Sequence, residues 1–221
     1  MAAALLTFAG LLDDVVRTSG VAVSDLAKVQ ALSTTRGPSS QAMMRIVTAA
    51  GGPVVMSLAA AAVCGWLAWR RRTVEPLVLG VVAVSGIAVL DTTTKYMVGR
   101  SRPPLALHAV AVDGQSFPSG HASFSAVVIP LCCALVTRYA MRRTLWRVVL
   151  WLCSLFMIVT VGFSRVFLGV HYPTDVLAGW SLAAAWDAVI VLALVIVPVP
   201  RPGGLGRDRT AAAATSLVRG V

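Results

Sequence analysis

The sequence predicts an all-α protein, a polytopic bundle of five to six transmembrane helices. Of its 221 residues, 57% are hydrophobic and only 13% are charged, which leaves too little polar surface to cover a water-soluble domain. Several apolar runs approach or exceed the length needed to cross the hydrocarbon core of a bilayer. Because these runs are continuous rather than alternating between apolar and polar residues, helices are expected and a β-barrel is disfavoured.

The predicted spans are five in number and cover residues 46–69, 75–94, 120–137, 146–163 and 176–197. Polar or arginine-rich breaks separate them, including the arginine triplet 70–72, the Gly-Arg-Ser-Arg-Pro-Pro stretch at 99–104 and the segment 138–147. We therefore expect three regions: an N-terminal segment at 1–45, a transmembrane domain at 46–200, and a basic, disordered cytoplasmic tail at 201–221.

The N-terminal segment contains no run as long as these spans. Residues 1–12 are apolar but too short to cross a bilayer, and Asp13 and Asp14 should end the run. The run lacks the basic start and small-residue cleavage site of a signal peptide. It is either an apolar start outside the bilayer core or the remnant of a first span. Residues 21–45 mix apolar and polar positions at helical spacing, which is typical of a helix lying along the membrane interface.

The net charge of +10 does not indicate a nucleic-acid partner, because the basic residues flank the apolar runs. The arginine triplet, the 138–147 segment and the tail hold eleven of the 19 basic residues. The positive-inside rule places these segments in the cytoplasm, so the opposite helix ends face outward. We therefore expect a multi-pass protein of the cell membrane whose extracytoplasmic face carries the polar motifs.

Three basic residues at that outward face form the first part of a candidate phosphate site. Lys95 and Arg102 flank the loop after the second span, and Arg165 lies at the end of the fourth. Arginine binds phosphate oxygens through two N–H groups, and lysine supplies a compact charge. Charge at the hydrocarbon edge is costly without an anion. Three such residues therefore favour an anion site over side chains that merely extend to lipid headgroups.

The second part is the stretch Pro118-Ser-Gly-His121, which lies where the third span begins. Serine is a common helix cap, and glycine lets a ligand approach the backbone. The free N–H groups and the dipole of a helix start can bind phosphate. Ser119 and Gly120 are therefore candidate phosphate ligands, and a plain helix cap is the alternative.

The third part pairs His171 with Asp175, four residues later at the start of the last span. An aspartate at that spacing can accept a hydrogen bond from one imidazole nitrogen, which leaves the other free to act as a nucleophile. The alternative is an interfacial histidine beside a capping aspartate. A metal site is disfavoured, because three nearby cations would repel a metal ion.

In order and spacing, the patterns Lys-x6-Arg-Pro (95–103), Pro-Ser-Gly-His (118–121) and Ser-Arg-x5-His-x3-Asp (164–175) resemble the three-part signature of the type 2 phosphatidic acid phosphatase superfamily. That superfamily includes bacterial membrane lipid phosphatases and, more distantly, vanadium haloperoxidases. The membrane members commonly have six spans, one more than the five predicted for this chain.

The resemblance implies a role for each matching residue. His171 would attack phosphorus, Asp175 would orient it, and His121 would act first as acid and then as base. The phosphoryl oxygens would be held by Lys95, Arg102, Ser119, Gly120 and Arg165. Neither a metal nor an organic cofactor is implied.

The predicted function is hydrolysis of a lipid phosphate or diphosphate by a membrane phosphatase, through a phosphohistidine intermediate. Polyprenyl diphosphate is the favoured substrate because an outward site suits recycling of a lipid carrier; phosphatidate and phosphatidylglycerol phosphate are the other candidates. One alternative is a non-catalytic membrane protein that binds or transports lipid phosphates, for which the two histidines would have no use. Another is a vanadate-dependent oxidant, which the spans disfavour.

Asp187 lies in the middle of the last span, and an intramembrane carboxylate is a functional candidate by default. At 1.5 Å of helix rise per residue it lies about 18 Å from Asp175, too far to reach the same phosphate. A contact with a neighbouring helix or subunit is expected instead.

Overall fold

The computed structural model describes residues 1–196, and every regular element within that range is helical. The α-helices in chain order are α1 (Ala2–Arg17), α2 (Asp25–Thr34), α3 (Pro38–Ala50), α4 (Pro53–Arg71), α5 (Glu75–Val98), α6 (Gly120–Tyr139), α7 (Thr144–Phe167) and α8 (Pro173–Ile196). Short 3₁₀ turns lie at Gly20–Ser24 and Leu105–Leu107. The tail predicted at 201–221 lies outside the described residues.

Helices α4 to α8 form the transmembrane bundle that the sequence predicts. Each is long and apolar enough to cross a bilayer. Helix α6 is central: half of its apolar window is buried, against 17–28% for the other four, and it packs against α4, α5 and α7. Helix α8 contacts α5 through Trp186, whose indole N–H donates to the carbonyl oxygen of Ala83 at 3.2 Å.

The first span begins at Pro53, so the predicted start at residue 46 is wrong. Gly51 and Gly52 separate α3 from α4, and Pro53 occupies the first turn of α4, where its missing N–H leaves no helical hydrogen bond unmade. The apolar pattern continues across this break, which is why hydrophobicity placed the start too early. Helix α3 is a separate helix, and its Thr48 contacts Arg165 of α7.

Helix α1 extends through the two aspartates that were expected to end the apolar run. Asp13 forms an ion pair with Arg17 at 2.6 Å, one turn later on the same helix. The Asp14 carboxylate accepts the backbone N–H of Val21 at 3.1 Å, just beyond the helix end. The region 21–45, predicted as one interfacial helix, holds both α2 and α3.

The three N-terminal helices pack against the end of the bundle that carries the polar motifs. Each contributes a buried apolar residue to that contact: Leu11 from α1, Val29 from α2 and Met44 from α3. Their neighbours include Phe117, which precedes the second motif, and Val170, which lies within the third. Residues from all parts of the N-terminal segment therefore surround the candidate site.

The motifs share one end of the bundle because the helices alternate in direction. Helix α5 ends at Val98, and Gly99, at φ 62°, turns the chain into the loop that leads to α6. Helix α7 ends at Phe167, and α8 begins at Pro173 only a few residues later. The ends of α5 and α7 and the starts of α6 and α8 therefore meet around one site.

Candidate active site

His171 lies in the turn between α7 and α8, and its side chain is 2% exposed. Its backbone N–H donates to the carbonyl oxygen of Arg165 at 3.3 Å, which fixes the turn. Its Nδ1 lies 3.4 Å from Asp175 Oδ2, and its Nε2 lies 3.0 Å from Nη1 of Arg102. Because a carboxylate only accepts and a guanidinium only donates, these neighbours place the proton on Nδ1 and leave a lone pair on Nε2.

The Asp175 carboxylate is fully buried and is held on both oxygens. Oδ2 accepts the Ser116 hydroxyl at 2.5 Å and the Tyr172 backbone N–H at 2.9 Å. Oδ1 accepts Nη1 of Arg100 at 2.6 Å. Each of these donors stabilises the ionised form of the carboxylate. Asp175 is therefore a fixed acceptor for the Nδ1–H of His171.

Electrostatics keep His171 neutral near pH 7. Burial lowers the pKa of its imidazole to about 4. The hydrogen bond and negative charge of Asp175 act in the opposite direction, whereas Arg165 and Arg102 add to the lowering of the pKa. The neutral form is the one whose Nε2 lone pair can attack an electrophile.

Arg102 is held by backbone carbonyl groups on three sides. Its Nη1 donates to Val170 O at 2.8 Å, its Nε to Gly114 O at 3.0 Å and its Nη2 to Asp113 O at 3.1 Å. Burial lowers the pKa of the guanidinium, and the negative charges of Asp175 and Asp113 partly oppose that effect. Arg102 is therefore a fixed positive group directly beside the nucleophilic nitrogen.

Arg165 and Ser119 each carry a buried polar atom that has no hydrogen-bond partner within residues 1–196. Arg165 is 3% exposed, and its Nη1 donates to Thr48 Oγ1 at 2.6 Å while its Nε has no partner. The Ser119 side chain is fully buried, and its hydroxyl lacks a partner. A buried polar group without a partner costs about 1–3 kcal/mol, and one in a site of this charge is a ready ligand for an anion.

The Pro118–His121 stretch joins the His171 turn through the backbone. The Ser119 N–H donates to the carbonyl oxygen of Asp175 at 2.9 Å, so the starts of α6 and α8 are directly linked. Gly120 is the first residue of α6, where backbone N–H groups lack helical partners. His121 follows it and lies beside Gly52, where an added methyl group would be 3.5 Å from its Nε2. The charged groups that act on its imidazole include Arg165 and Lys95.

Lys95 forms an ion pair that the sequence analysis did not predict. Its ammonium group lies 2.8 Å from Asp91 Oδ2, one turn earlier on α5, and it also donates to the Pro118 carbonyl oxygen. Asp91 is buried and additionally accepts the Ser123 hydroxyl at 3.2 Å. Lys95 therefore reaches the site, but Asp91 compensates part of the positive charge that the motif brings there.

Five polar residues of the site were missed by sequence reasoning: Asp25, Thr48, Asp91, Arg100 and Ser116. Asp91 had a usable signal, because it precedes Lys95 by four residues on one helix, the spacing of an ion pair. Arg100 lies inside the first motif and is the remaining arginine of that loop. The other three lie in segments without a local pattern that distinguishes them.

The described part of the chain contains no group of three or more His, Cys, Asp or Glu side chains arranged to hold a metal ion. The donor set around His171 is instead cationic, with Arg102 in direct contact and Arg165 near enough to affect its charge. Such a set suits an anionic ligand.

Asp187 lies outside this site. Within residues 1–196 it makes no side-chain hydrogen bond and no ion pair, although the adjacent Trp186 bonds to α5. The hydrogen bond to α5 is made by Trp186 and not by Asp187, so the contact of Asp187 with a neighbouring helix or subunit stays a prediction.

Known proteins are similar to this chain in sequence and in fold. The model of the PAP2 superfamily matches residues 75–196, which is more than half of the chain. Phosphatidylglycerophosphatase B of Bacillus subtilis is 28% identical over 178 residues, which cover 80% of this chain and 87% of that protein. Undecaprenyl-diphosphatase of Sulfolobus acidocaldarius is 34% identical over 104 residues, 43% of this chain and 44% of that protein.

A solved structure also superimposes on the chain over most of its length. The crystal structure of a transmembrane PAP2-type phosphatidylglycerolphosphate phosphatase from Bacillus subtilis has a TM-score of 0.80 and 25% identity, and the match covers 90% of this chain and 100% of that one. The family match and this agreement in fold both fit a bundle of five apolar helices that carries a cationic, histidine-containing site at one end. The chain belongs to the PAP2 superfamily, in its membrane lipid phosphatase branch.

Proposed function

We propose that the chain hydrolyses a lipid phosphate at the membrane surface through a phosphohistidine intermediate on His171, without a metal ion. The observation that carries the proposal is the contact of His171 Nε2 with Arg102 on one side and of Nδ1 with Asp175 on the other. The Nε2 lone pair of His171 faces the Arg102 guanidinium, so a phosphate bound by Arg102 would lie beside the attacking nitrogen.

In the first step, the Nε2 lone pair of His171 forms a bond to phosphorus while the bond from phosphorus to the lipid oxygen breaks. Protonated His121 gives its proton to that oxygen, and the lipid alcohol leaves. The Nδ1–H stays on His171 and faces Asp175, which stabilises the positive charge that develops on the ring. His121 lies at the start of α6, near the same cations, which disfavour its protonated form. The negative charge of a bound phosphate opposes them, so substrate binding would favour the protonated acid.

In the second step, water attacks the phosphorus of the phosphohistidine. His121 takes the water proton as the oxygen–phosphorus bond forms, and the nitrogen–phosphorus bond breaks to return the lone pair to Nε2. Inorganic phosphate leaves, and His121 is again protonated for the next turnover. The same residue thus serves as acid and then as base.

Charge stabilisation in both steps is assigned to Arg102, Arg165, Lys95, Ser119 and the Gly120 amide. The unpartnered Arg165 Nε and Ser119 hydroxyl support this assignment, because an incoming phosphoryl group would supply acceptors for both. Groups that are fixed before the reaction stabilise developing charge without reorganising at the moment of bond breaking.

For the substrate we favour a glycerolipid phosphate monoester, with phosphatidylglycerol phosphate as the lead. The relative of that specificity is covered over 87% of its length, and the solved structure of that type is covered completely. Polyprenyl diphosphate, which the sequence analysis favoured, is the second candidate. The match to undecaprenyl-diphosphatase supports it over a shorter region.

The test is phosphate release from phosphatidylglycerol phosphate, phosphatidate and a polyprenyl diphosphate in detergent, with purified wild type and His171→Ala. We expect His171→Ala to lower kcat by about four orders of magnitude or more, because a covalent nucleophile is lost. His108→Ala is the matched control, because within residues 1–196 the His108 side chain bonds only to the Pro103 carbonyl oxygen, at 2.9 Å. The activity of this variant should stay within about threefold of wild type. A loss below tenfold in His171→Ala would refute the nucleophile assignment, and binding without phosphate release would favour a non-catalytic lipid-phosphate protein.

Metal independence is tested in the same assay with EDTA and vanadate. Activity should be unchanged in excess EDTA, because the positive charge comes from side chains and a helix start. Vanadate should inhibit, since it resembles the transferring phosphoryl group. A strong loss in EDTA that is restored by a divalent cation would contradict the metal-free mechanism, and halide oxidation with vanadate would favour the oxidant.

A further inference from the structure

Arg100 lies between two buried carboxylates that come from distant parts of the chain. Its Nη1 lies 2.6 Å from Asp175 Oδ1, and its Nη2 lies 2.8 Å from Asp25 Oδ2. Asp25 is the first residue of α2 and is 1% exposed. A single guanidinium therefore connects the N-terminal segment to the carboxylate that faces His171.

Additional contacts fix this arrangement. Nη1 of Arg100 also donates to Thr174 Oγ1 at 2.8 Å, and its guanidinium lies over the Tyr172 ring, 4.2 Å from the ring centroid. The Thr174 hydroxyl donates to Asp25, and the Thr174 backbone N–H lies 3.3 Å from Asp25 Oδ1. The Arg100 guanidinium and the carboxylates of Asp25 and Asp175 are thus held in one orientation. The start of α8 is hydrogen-bonded to the start of α2.

The bond from Arg100, together with the bonds from Ser116 and the Tyr172 N–H, sets which way the Asp175 carboxylate faces. Arg100 occupies Oδ1, so Oδ2 is the oxygen that faces Nδ1 of His171. Rotation of the carboxylate would break the contact of Nη1 with Oδ1 and move Oδ2 away from the imidazole. Arginine's planar fork holds such a geometry better than a flexible ammonium group.

The charge of Arg100 is shared between its two partners. Burial acts to lower the pKa of the guanidinium, but the charges and hydrogen bonds of Asp175 and Asp25 outweigh burial and raise it. Without Asp25, the positive charge would be compensated by Asp175 alone. The Asp175 carboxylate would then support the positive charge that develops on His171 less strongly.

We propose that Asp25 and Arg100 are positioning residues for the reaction: through Arg100, helix α2 sets the orientation and charge of Asp175, and thereby the reactivity of His171. This proposal rests on the proposed function, since it assigns a role in that same site. Neither residue is assigned a contact with the phosphate. Their effect passes through the Asp175 carboxylate.

A purely structural ion pair makes a different prediction, and the chain contains one for comparison. Arg138, in the last turn of α6, and Glu75, the first residue of α5, lie 2.9 Å apart at the opposite end of the bundle. Arg138→Gln is therefore the matched control for Arg100→Gln. Asp13→Asn is the control for Asp25→Asn, because Asp13 forms an exposed ion pair on α1.

The experiment measures kcat, KM and the number of active sites for wild type, Asp25→Asn, Arg100→Gln, the double variant and both controls. Active sites are counted as folded protein, from the monodisperse peak of size-exclusion chromatography in detergent, so that misfolded protein does not lower the apparent kcat. Thermal unfolding in detergent is recorded for each. Arg100→Lys is included as a variant that retains the charge if Arg100→Gln fails to fold.

We expect Arg100→Gln to lower kcat per active site by about 10–100-fold, with KM within about threefold of wild type. Asp25→Asn should lower the same parameter by a smaller factor. The double variant should resemble Arg100→Gln within about threefold, because Asp25 acts through Arg100. Arg100→Lys should fall between wild type and Arg100→Gln, and both controls should match wild type.

Three outcomes would overturn the proposal while leaving the proposed function in place. They are an Arg100→Gln variant that matches Arg138→Gln, a loss confined to the number of folded sites at unchanged kcat per site, and effects of Asp25→Asn and Arg100→Gln that multiply in the double variant. A wild type that releases no phosphate from any lipid substrate would instead overturn the proposed function, and the positioning role with it.

Discussion

His171 is oriented by a permanent donor on one side of its ring and a permanent acceptor on the other. Arg102 lies 3.0 Å from Nε2, and Asp175 lies 3.4 Å from Nδ1. The spacing of His171 and Asp175 in the sequence predicted the acceptor, because four residues in a helical turn bring two side chains together. The direct contact of Arg102 with Nε2 depends on the path of the loop after α5, which no local pattern specifies.

The lowered pKa of His171 predicts the acid side of the pH profile. His171 must be neutral to attack, and its pKa of about 4 means that the inactive, protonated form accumulates only in more acidic solution. We therefore expect kcat/KM to lose about a factor of ten per pH unit only below that value. Arg165→Gln removes a charge that lowers this pKa, so its acid limb should lie at higher pH.

The measurement is kcat/KM against pH for wild type, Arg165→Gln and the distant control Arg138→Gln. Because all three use one substrate, titration of the lipid phosphate itself cancels in the comparison. The control should superimpose on wild type apart from scale. A shift of the Arg165→Gln limb to lower pH would contradict the electrostatic account.

The ion pair of Asp25 and Arg100 shows why the sequence did not predict every residue of the site. They are 75 residues apart in the sequence, with helices α3, α4 and α5 between them, yet their charged groups lie 2.8 Å apart. A buried ion pair leaves no trace in hydrophobic periodicity, because each member alone resembles a surface residue. Asp91, in contrast, was predictable from its spacing to Lys95 on α5.

At the scale of helices, the contact between α6 and α8 holds two of the motifs together. Gly179 of α8 lies against the start of α6, where an added methyl group would be 2.9 Å from Ser119 O and 3.0 Å from Ser123 Oγ. Only a residue without a side chain fits this contact. The close approach keeps the Ser119 N–H within reach of the Asp175 carbonyl oxygen.

Gly179→Ala is therefore expected to separate α6 from α8 and to lower both kcat and thermal stability. Overpacking of this kind costs about 1–3 kcal/mol, measured as a lower unfolding temperature in detergent. The control is Gly65→Ala on α4, where an added methyl group would meet nothing within 4 Å. That variant should be unchanged or up to about 1 kcal/mol more stable, since alanine favours helix. Equal behaviour of the two variants would show that the contact is not required.

The boundary between α3 and α4 illustrates what an apolar pattern misses. Hydrophobicity continues from residue 46 into the span, but Gly51, Gly52 and Pro53 end one helix and begin another. This break lets Thr48 on α3 bond to Arg165 at 2.6 Å. The helix breakers were visible in the sequence, whereas the partner of Thr48 was not.

At the scale of the whole molecule, the alternation of helix directions separates two chemically different ends. The ends of α5 and α7 and the starts of α6 and α8 carry the site, and the opposite end carries the arginine triplet and the 138–147 loop. The positive-inside rule then predicts that the site faces the outside of the cell.

Labelling of an introduced cysteine with a membrane-impermeant thiol reagent tests this orientation. Asp113→Cys, exposed at the site end, should react in intact cells, whereas Arg142→Cys, exposed at the basic end, should react only after permeabilisation. Wild type is the background control, because its four cysteines, at 64, 132, 133 and 153, all lie within apolar helices. The reverse pattern would place the site in the cytoplasm.

The sequence by itself determined the fold class, the number of apolar helices and the residues of the three motifs, because each depends on local composition and short spacing. Only the tertiary structure decided how Asp25, Thr48 and Arg100 join those motifs. The physical reason is that buried polar groups must find partners wherever the packed helices bring them. That geometry is a property of the assembled bundle rather than of any one segment.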